Sequence, residues 1–149
     1  MKHKLIVTLI LLVSFNVSNA QSFSTYEEFR ILFRANLKAF ISLANKKGFK
    51  QGNKVMFTNT KANEVLTKKL DELGFLTTSV SKLTTIENSF KKAGFKASNA
   101  YNGLGNPFTG AGDLIWSQVY NGYGDSMMWL GKVKPYDGVE QYFIFFYRL

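Results

Sequence analysis

Apolar side chains in the N-terminal half of the chain recur at intervals of three and four residues, the spacing of one face of an α-helix. The members of this face are Tyr26, Phe29, Phe33, Leu37, Phe40, Ile41 and Ala44. Two overlapping capping-box patterns precede them, and the second pairs Thr25 with Glu28. Gly48 supplies the left-handed residue that commonly follows a last turn. The pattern therefore predicts one long helix from about Thr25 to Lys47.

A glycine followed by phenylalanine occurs three times, in the segments Lys47–Phe49, Leu73–Phe75 and Ala93–Phe95. Because an apolar residue after a glycine cap often packs back on the helix, the spacing predicts further helices over about 61–73 and 85–93. Thr84 begins the capping box of the latter. The likeness of segments 46–53 and 91–99 also suggests an internal repeat, but a shared helix ending is the simpler interpretation.

The last third of the chain alternates with a period of two, which is typical of β-strands. The predicted strands are about 113–120, 126–134 and 139–148, joined by turns at 121–124 and 135–138. Together they form a three-stranded antiparallel meander. Residues 54–58 predict an added strand, and residues 77–83 predict an edge strand or a loop. Residues 96–112, rich in glycine and asparagine, predict a long loop.

The motif Gly-x-Gly-Asp occurs twice, ending at Asp113 and at Asp125. A four-residue turn at 121–124 would pair Tyr120 with Asp125 and would place Trp116 directly opposite Trp129. The two aspartates would then lie roughly 23 Å apart, at opposite ends of the hairpin. Glycosidase carboxylates lie about 5–9.5 Å apart, so the repeated motif is interpreted as two turns.

Both faces of the predicted meander are apolar, whereas an antiparallel sheet with one solvated face should alternate. In the predicted register one face carries Leu114, Trp116, Tyr120, Met127, Trp129, Val133, Tyr142, Ile144 and Phe146. The other carries Ile115, Val119, Met128, Leu130, Phe143, Phe145 and Tyr147. The helices can cover one face, and the loop, a second protein or a flat ligand would cover the other. The expected fold is α+β in two layers, with N-terminal helices packed on the meander.

The N-terminus resembles an export signal in its three parts. Met1–Lys4 is basic, Leu5–Val13 is apolar, and Ser18–Ala20 is a small-residue cleavage motif. The apolar run is too short to span a bilayer, which needs about 20 residues. The sequence predicts a signal peptide over 1–20 and a single domain over 21–149, exported to the periplasm or the extracellular medium.

Composition narrows the chemistry of the exported domain. The chain has no cysteine, and its one histidine, His3, lies in the predicted signal peptide. Histidine and cysteine catalysis, disulfides and most zinc sites are therefore excluded from the mature domain, and no catalytic residue, metal or cofactor is expected. Seventeen basic and ten acidic residues remain after cleavage, a net charge of +7. Because the basic residues are dispersed, nucleic-acid binding is not favoured.

The leading functional hypothesis is a non-catalytic module that binds a protein or a glycan. The predicted ligand-binding residues, on the sheet face and nearby turns, are Tyr101, Asn106, Trp116, Tyr120, Tyr123 and Trp129. A second copy of the chain is another candidate partner for the sheet face. One alternative is a glycan hydrolase that uses Asp113 with Asp137 or Glu140. Another is a secreted toxin, inhibitor or immunity-type partner of another protein.

Overall fold

The structure, a computed structural model, describes residues 22–99, 112–135 and 138–149. The described residues form an α+β fold, as the sequence predicts, with three helices and one eight-stranded sheet. The helices are α1 (Tyr26–Arg34), α2 (Leu37–Lys46) and α3 (Val80–Lys92). The strands are β1 (Lys50–Gln51), β2 (Met56–Asn59), β3 (Glu64–Lys68), β4 (Glu72–Thr77), β5 (Lys96–Ser98), β6 (Gly112–Asn121), β7 (Met127–Pro135) and β8 (Gln141–Tyr147).

The predicted long N-terminal helix is two helices. The capping box at its start is confirmed, because Thr25 Oγ1 accepts from the Glu28 backbone N–H and Glu28 Oε2 accepts from the Thr25 N–H. The chain leaves the helix at Ala35, whose backbone is extended. Asn36 Oδ1 then accepts from the Ala39 N–H at 2.9 Å and begins α2. Asparagine competes for backbone hydrogen bonds in this way, and the apolar spacing continues across the break.

The helix predicted over 61–73 is wrong, because residues 61–63 form the turn before β3 and residues 64–73 belong to the hairpin of β3 and β4. Gly74 lies inside β4 and caps no helix; it is paired on one side with Thr67 and on the other with Phe145. Leu70, an apolar residue of the predicted helix, is 89% exposed between the two strands. The apolar spacing fits either element, and pairing on both sides of the hairpin decides for strands.

Helix α3 begins earlier than predicted, so segment 77–83 is neither an edge strand nor a loop. Ser79 Oγ accepts from the Lys82 N–H as the N-cap. Thr84 Oγ1, the predicted cap, instead donates to the Val80 carbonyl within the helix. The predicted helix endings at Gly48 and Gly94 are confirmed: both have positive φ, and the following phenylalanine bonds back to the last turn.

The sheet is wholly antiparallel, in the order β1-β2-β3-β4-β8-β7-β6-β5. The predicted meander of β6, β7 and β8 is present, but it is part of a much larger sheet. The added strand predicted at 54–58 is β2, which lies one strand in from the edge. Part of the predicted loop 96–112 is β5, which pairs with the end of β6.

The register of the β6–β7 hairpin differs from the predicted one. The last pair is Asn121 with Met127, so the turn is one residue longer, and a register shift follows between Leu114 and Trp116. Trp116 is therefore paired with Lys132, and Trp129 with Val119. Trp129 is thus opposite a residue three positions from Trp116, and because side chains alternate between the two faces along a strand, this odd offset places the two tryptophans on opposite faces of the sheet.

The main core lies between the sheet and the helices. It contains ten phenylalanines and leucines that are completely buried: Phe29, Phe40, Phe57, Phe75, Phe90, Phe146, Leu32, Leu66, Leu73 and Leu130. Phe29 of α1 and Phe90 of α3 both stack near Phe146 of β8, with ring centroids 4.5 and 4.8 Å apart. Since helix residues occur only in this cluster, all three helices cover the same face.

Candidate binding surface

The face of the sheet opposite the helices carries a second apolar cluster. Its buried members are Val119, Trp129, Val133, Phe143 and Phe145, and its partly buried members are Leu76, Leu114, Met127 and Tyr147. These residues come from β4, β6, β7 and β8, so the cluster spans the centre of the sheet. We call this side the helix-free face. No helix of the described residues contributes to it.

Two glycines allow the aromatic rings of β8 to lie across the helix-free face. Gly131 of β7 is paired with Phe143, and a Cβ at residue 131 would come within 2.7 Å of the Phe143 ring. Gly74 of β4 is paired with Phe145 in the same manner, at 2.8 Å. Each ring therefore packs over a neighbouring strand at a position where any side chain would displace it.

Trp129 completes the aromatic group. Its ring centroid lies 5.3 Å from that of Phe143, nearly perpendicular to it, and 6.1 Å from that of Phe145. The side chain is 6% exposed, yet its indole N–H has no hydrogen-bond partner. A buried donor without a partner costs about 1–3 kcal/mol. An acceptor brought to this nitrogen would recover that free energy.

A groove of about 400 Å³ runs beside Trp129 on the helix-free face. Its apolar wall consists of Val55, Leu76, Trp129, Phe145 and Tyr147, and its polar rim of Thr67, Lys69 and Glu72. We call it the Trp129 groove.

The rim of the Trp129 groove contains an ion pair. Lys69 Nζ forms an ion pair with Glu72 Oε1 at 2.9 Å. Burial, together with Glu72, raises the pKa of the Tyr147 phenol to about 12. The groove thus offers an apolar wall with a partly exposed ion pair beside it.

The predicted ligand-binding residues do not form one surface. Tyr120 is buried on the helix side, where its hydroxyl donates to Glu87 Oε1. Trp116 shares the face of its partner Lys132 and is 40% exposed, while Tyr123 is 99% exposed in the β6–β7 turn. Tyr101 and Asn106 lie outside the described residues. Of the four that lie within the described residues, only Trp129 belongs to the helix-free face.

The predicted acidic residues Asp113 and Glu140 lie toward the same end of the meander. Asp113 is paired with Lys134 and is exposed. Glu140 precedes β8, is exposed, and forms an ion pair with Lys132 at 2.5 Å. Asp137 lies outside the described residues. Asp113 and Asp125 do lie at opposite ends of the β6–β7 hairpin, since Asp125 belongs to its turn.

One buried acidic residue was missed by the reading of the sequence. Glu64 begins β3 between Asn59 of β2 and Thr77 of β4, and all three side chains are buried. Burial raises the pKa of the Glu64 carboxyl, while the neighbouring Ser22 hydroxyl and Lys82 ammonium oppose part of that rise. Glu64 and the buried Leu66 are two residues apart, which in a strand places them on the same face and indicates that Glu64 is buried. The prediction of a helix over 61–73 obscured this pattern.

Among the described residues, no group of three or more histidine, cysteine, aspartate and glutamate side chains is arranged to hold a metal ion. None of the helices in this part of the chain has the length and apolar character needed to cross a membrane. Comparison of the chain with protein-family models, curated proteins and solved structures gives no match.

Proposed function

We propose that this chain is an exported, non-catalytic binding module that receives an apolar side chain of a protein partner in the Trp129 groove. Residues 1–20 would direct export and would be removed by cleavage after Ala20. The observation that carries the proposal is the Trp129 groove itself, an apolar wall beside a buried indole N–H that has no acceptor. Apolar clefts with a few oriented polar groups are the usual form of ligand sites.

The lining of the groove favours a protein partner over a glycan. Sugars stack on the exposed face of an aromatic ring, but the rings of Trp129 and Phe145 are almost completely buried. What the groove presents is aliphatic and aromatic wall from Val55, Leu76 and Tyr147. An apolar side chain would fill such a space, and a backbone carbonyl of the same partner would reach the indole N–H only after the atoms that cover this nitrogen move.

The absence of catalysis in this proposal rests on the chemistry available to the mature chain. Residues 21–149 contain neither histidine nor cysteine, which removes the commonest general bases and nucleophiles. Asp113 and Glu140, the candidates for carboxylate chemistry, are both exposed, and Glu140 is paired with Lys132. Neither lies in the hydrophobic pocket in which a catalytic acid is usually found.

The test compares two exposed apolar positions on opposite sides of the molecule. Val55 lies at the wall of the Trp129 groove, and Leu37 begins α2 on the helix side; both are about half exposed. A photo-crosslinking amino acid at residue 55 of the exported protein should capture a protein that the same probe at residue 37 does not. Mass spectrometry then identifies the protein, and its affinity is measured with purified components.

Val55→Glu should weaken that affinity about tenfold or more, since a charge would be placed against an apolar partner, and Leu37→Glu should leave it unchanged. Equal effects of the two variants would contradict the groove as the site. Retention on cell-wall glycan that Val55→Glu abolishes would replace the protein by a glycan. A cross-link between two copies of the chain would make the chain its own partner.

A further inference from the structure

The edge of the sheet at β1 and β2 gathers positive charge that is dispersed along the sequence. Segment 46–63 contains neither aspartate nor glutamate but five lysines, namely Lys46, Lys47, Lys50, Lys54 and Lys61. Glu64, the next acidic residue along the chain, is buried and lies beside Lys82. Among the described residues, Lys47 pairs with Glu28, and the other four lysines form no ion pair.

Two of these lysines, Lys50 and Lys61, line a depression of about 510 Å³, which we call the lysine depression. Lys50 belongs to β1, and Lys61 to the turn between β2 and β3. No acidic side chain occurs among the described residues of the lining, which also include Gly48, Thr58, Asn59, Thr60 and Ala62. The hydroxyls of Thr58 and Thr60 make no hydrogen bond to any other residue that the structure describes.

Asn59 fixes the shape of the lysine depression. This residue is buried, its Nδ2 donates to the Lys47 carbonyl at 3.1 Å, and its Oδ1 accepts from the Ala62 N–H at 3.2 Å. The end of α2 is thereby joined to the turn that carries Lys61. Gly48 has a φ of +84°, and a Cβ there would lie 3.3 Å from Asn59 Nδ2, so glycine permits this close approach. The depression is therefore part of the fold.

The end of α2 does not account for the lysines of the depression. Lysines near a helix C-terminus often bind the free carbonyls of its last turn. Here the Ala44 carbonyl accepts from the Phe49 N–H and the Asn45 carbonyl from the Gly48 N–H, both at 3.0 Å. Backbone donors thus already serve this helix end, and the two ammonium groups remain available to an anion.

We propose that the lysine depression binds a phosphate group. Lys50 and Lys61 supply positive charge, Thr58 and Thr60 supply hydroxyl donors, and phosphate oxygens accept from both kinds of group. A bound anion would also offset the repulsion among the unpaired lysines. The phosphate is either free or the head group of an anionic phospholipid. The lysine depression shares no lining residue with the Trp129 groove, so the two sites are independent.

The experiment has two arms that distinguish these sources. The exported protein is titrated with inorganic phosphate, with sodium chloride of equal ionic strength as the blank, while backbone amide shifts are followed by NMR. It is also sedimented with phosphatidylcholine vesicles that contain or lack phosphatidylglycerol. We expect phosphate to shift the amides of residues 58–62, or the vesicles to retain the protein only when they contain phosphatidylglycerol. Absence of both effects would overturn the proposal.

A charge-matched pair of variants separates the site from general attraction to anions. The double variant Lys50→Gln with Lys61→Gln should weaken binding about tenfold or more. Lys92→Gln with Lys96→Gln removes the same charge, but Lys96 lies in β5 at the opposite edge of the sheet, and Lys92 ends the helix before it. This control should change binding less than about threefold. Equal losses for the two double variants would overturn the proposal.

A third variant keeps every charge and decides the case if the first double variant fails to fold. Thr60→Val removes one hydroxyl donor from the lysine depression at an exposed position. It should weaken binding about fivefold and leave the Tm unchanged. Unchanged affinity for Thr60→Val would show that charge alone attracts the anion, and the built site would be abandoned.

Discussion

Gly74 of β4 and Phe145 of β8 are directly paired, and the phenyl ring lies over the glycine so closely that a Cβ at residue 74 would meet it at 2.8 Å. The same Cβ would meet Thr67 Oγ1 of β3 at 2.3 Å. Glycine is therefore required here by the space that its neighbours occupy. This close approach lets Phe145 form part of the wall of the Trp129 groove.

Gly74→Ala should destabilise the protein, because both the Phe145 ring and the Thr67 side chain must move to admit the methyl group. Overpacking of this kind costs about 1–3 kcal/mol. Chemical denaturation with urea, followed by circular dichroism, measures the change in the free energy of unfolding. Gly52→Ala is the matched control, since the nearest atom to its Cβ is 3.8 Å away, and it should change stability by less than about 0.5 kcal/mol. Similar losses for both would contradict the close packing of Phe145.

Two substitutions of Trp129 distinguish an effect on stability from an effect on binding. Trp129→Phe removes the buried N–H that lacks an acceptor and keeps an aromatic ring, so the unfolding free energy should fall by less than about 1.5 kcal/mol. Trp129→Ala leaves a cavity and should cost about 3–5 kcal/mol. If the indole N–H donates to the partner, the phenylalanine variant should nevertheless lose affinity. Thermal denaturation and affinity measured on the same preparations test both expectations, and equal instability of the two variants would contradict them.

The hydrogen bonds around Glu28 predict how the free energy of unfolding depends on pH. Partial burial acts to raise its pKa, but hydrogen bonds from Lys47, Ser24 and Thr25 outweigh burial and lower the pKa below 4.5. A carboxyl group with a lowered pKa contributes stability above its unfolded pKa, and this contribution is lost as the pH falls through the folded value. Glu28→Gln should therefore cost about 1 kcal/mol at neutral pH and almost nothing in stronger acid.

The control for this dependence is Glu27→Gln, which removes the adjacent, exposed carboxylate paired with Arg30. An exposed pair contributes little, so this variant should change the unfolding free energy by less than about 0.5 kcal/mol. Urea denaturation over a series of pH values measures both variants. A loss for Glu28→Gln that persists unchanged below the folded pKa would contradict the assignment of its charge.

The α+β class and the C-terminal meander could be predicted because local pattern and tertiary structure agree there. Period two in 139–148 coincides with a strand buried on both faces, and Gly48 and Gly94 end helices by local geometry alone. In 61–73, however, the apolar spacing fits both a helix and a hairpin. The choice is made by β2 and β8 on either side, which no local pattern reveals.

The candidate site depended even more on contacts that are distant in sequence. The observed register of β6 and β7 differs from the predicted one by three residues, which places Trp129 and Trp116 on opposite faces and reassigns the whole surface. Glu64 was not identified as buried, because a helix was predicted where β3 lies. The space above Gly74 and Gly131 exists only once β4, β7 and β8 are adjacent. Residue types suggested an aromatic face, and only the register shows which rings form it.

The division between α1 and α2 gives a last prediction, because it depends on one side chain. Asn36 Oδ1 accepts from the Ala39 N–H at 2.9 Å, while Ala35 is extended, so the chain turns without losing the hydrogen bonds of the new first turn. Asn36→Ala removes the acceptor and should lower the unfolding free energy by about 1 kcal/mol. Asn36→Asp retains an oxygen at the same position and should preserve stability, because an anion is also favourable at a helix N-terminus. Thermal denaturation of the two variants checks this order; if alanine were as stable as aspartate, the apolar contacts of Leu32 and Phe40 alone would fix the break.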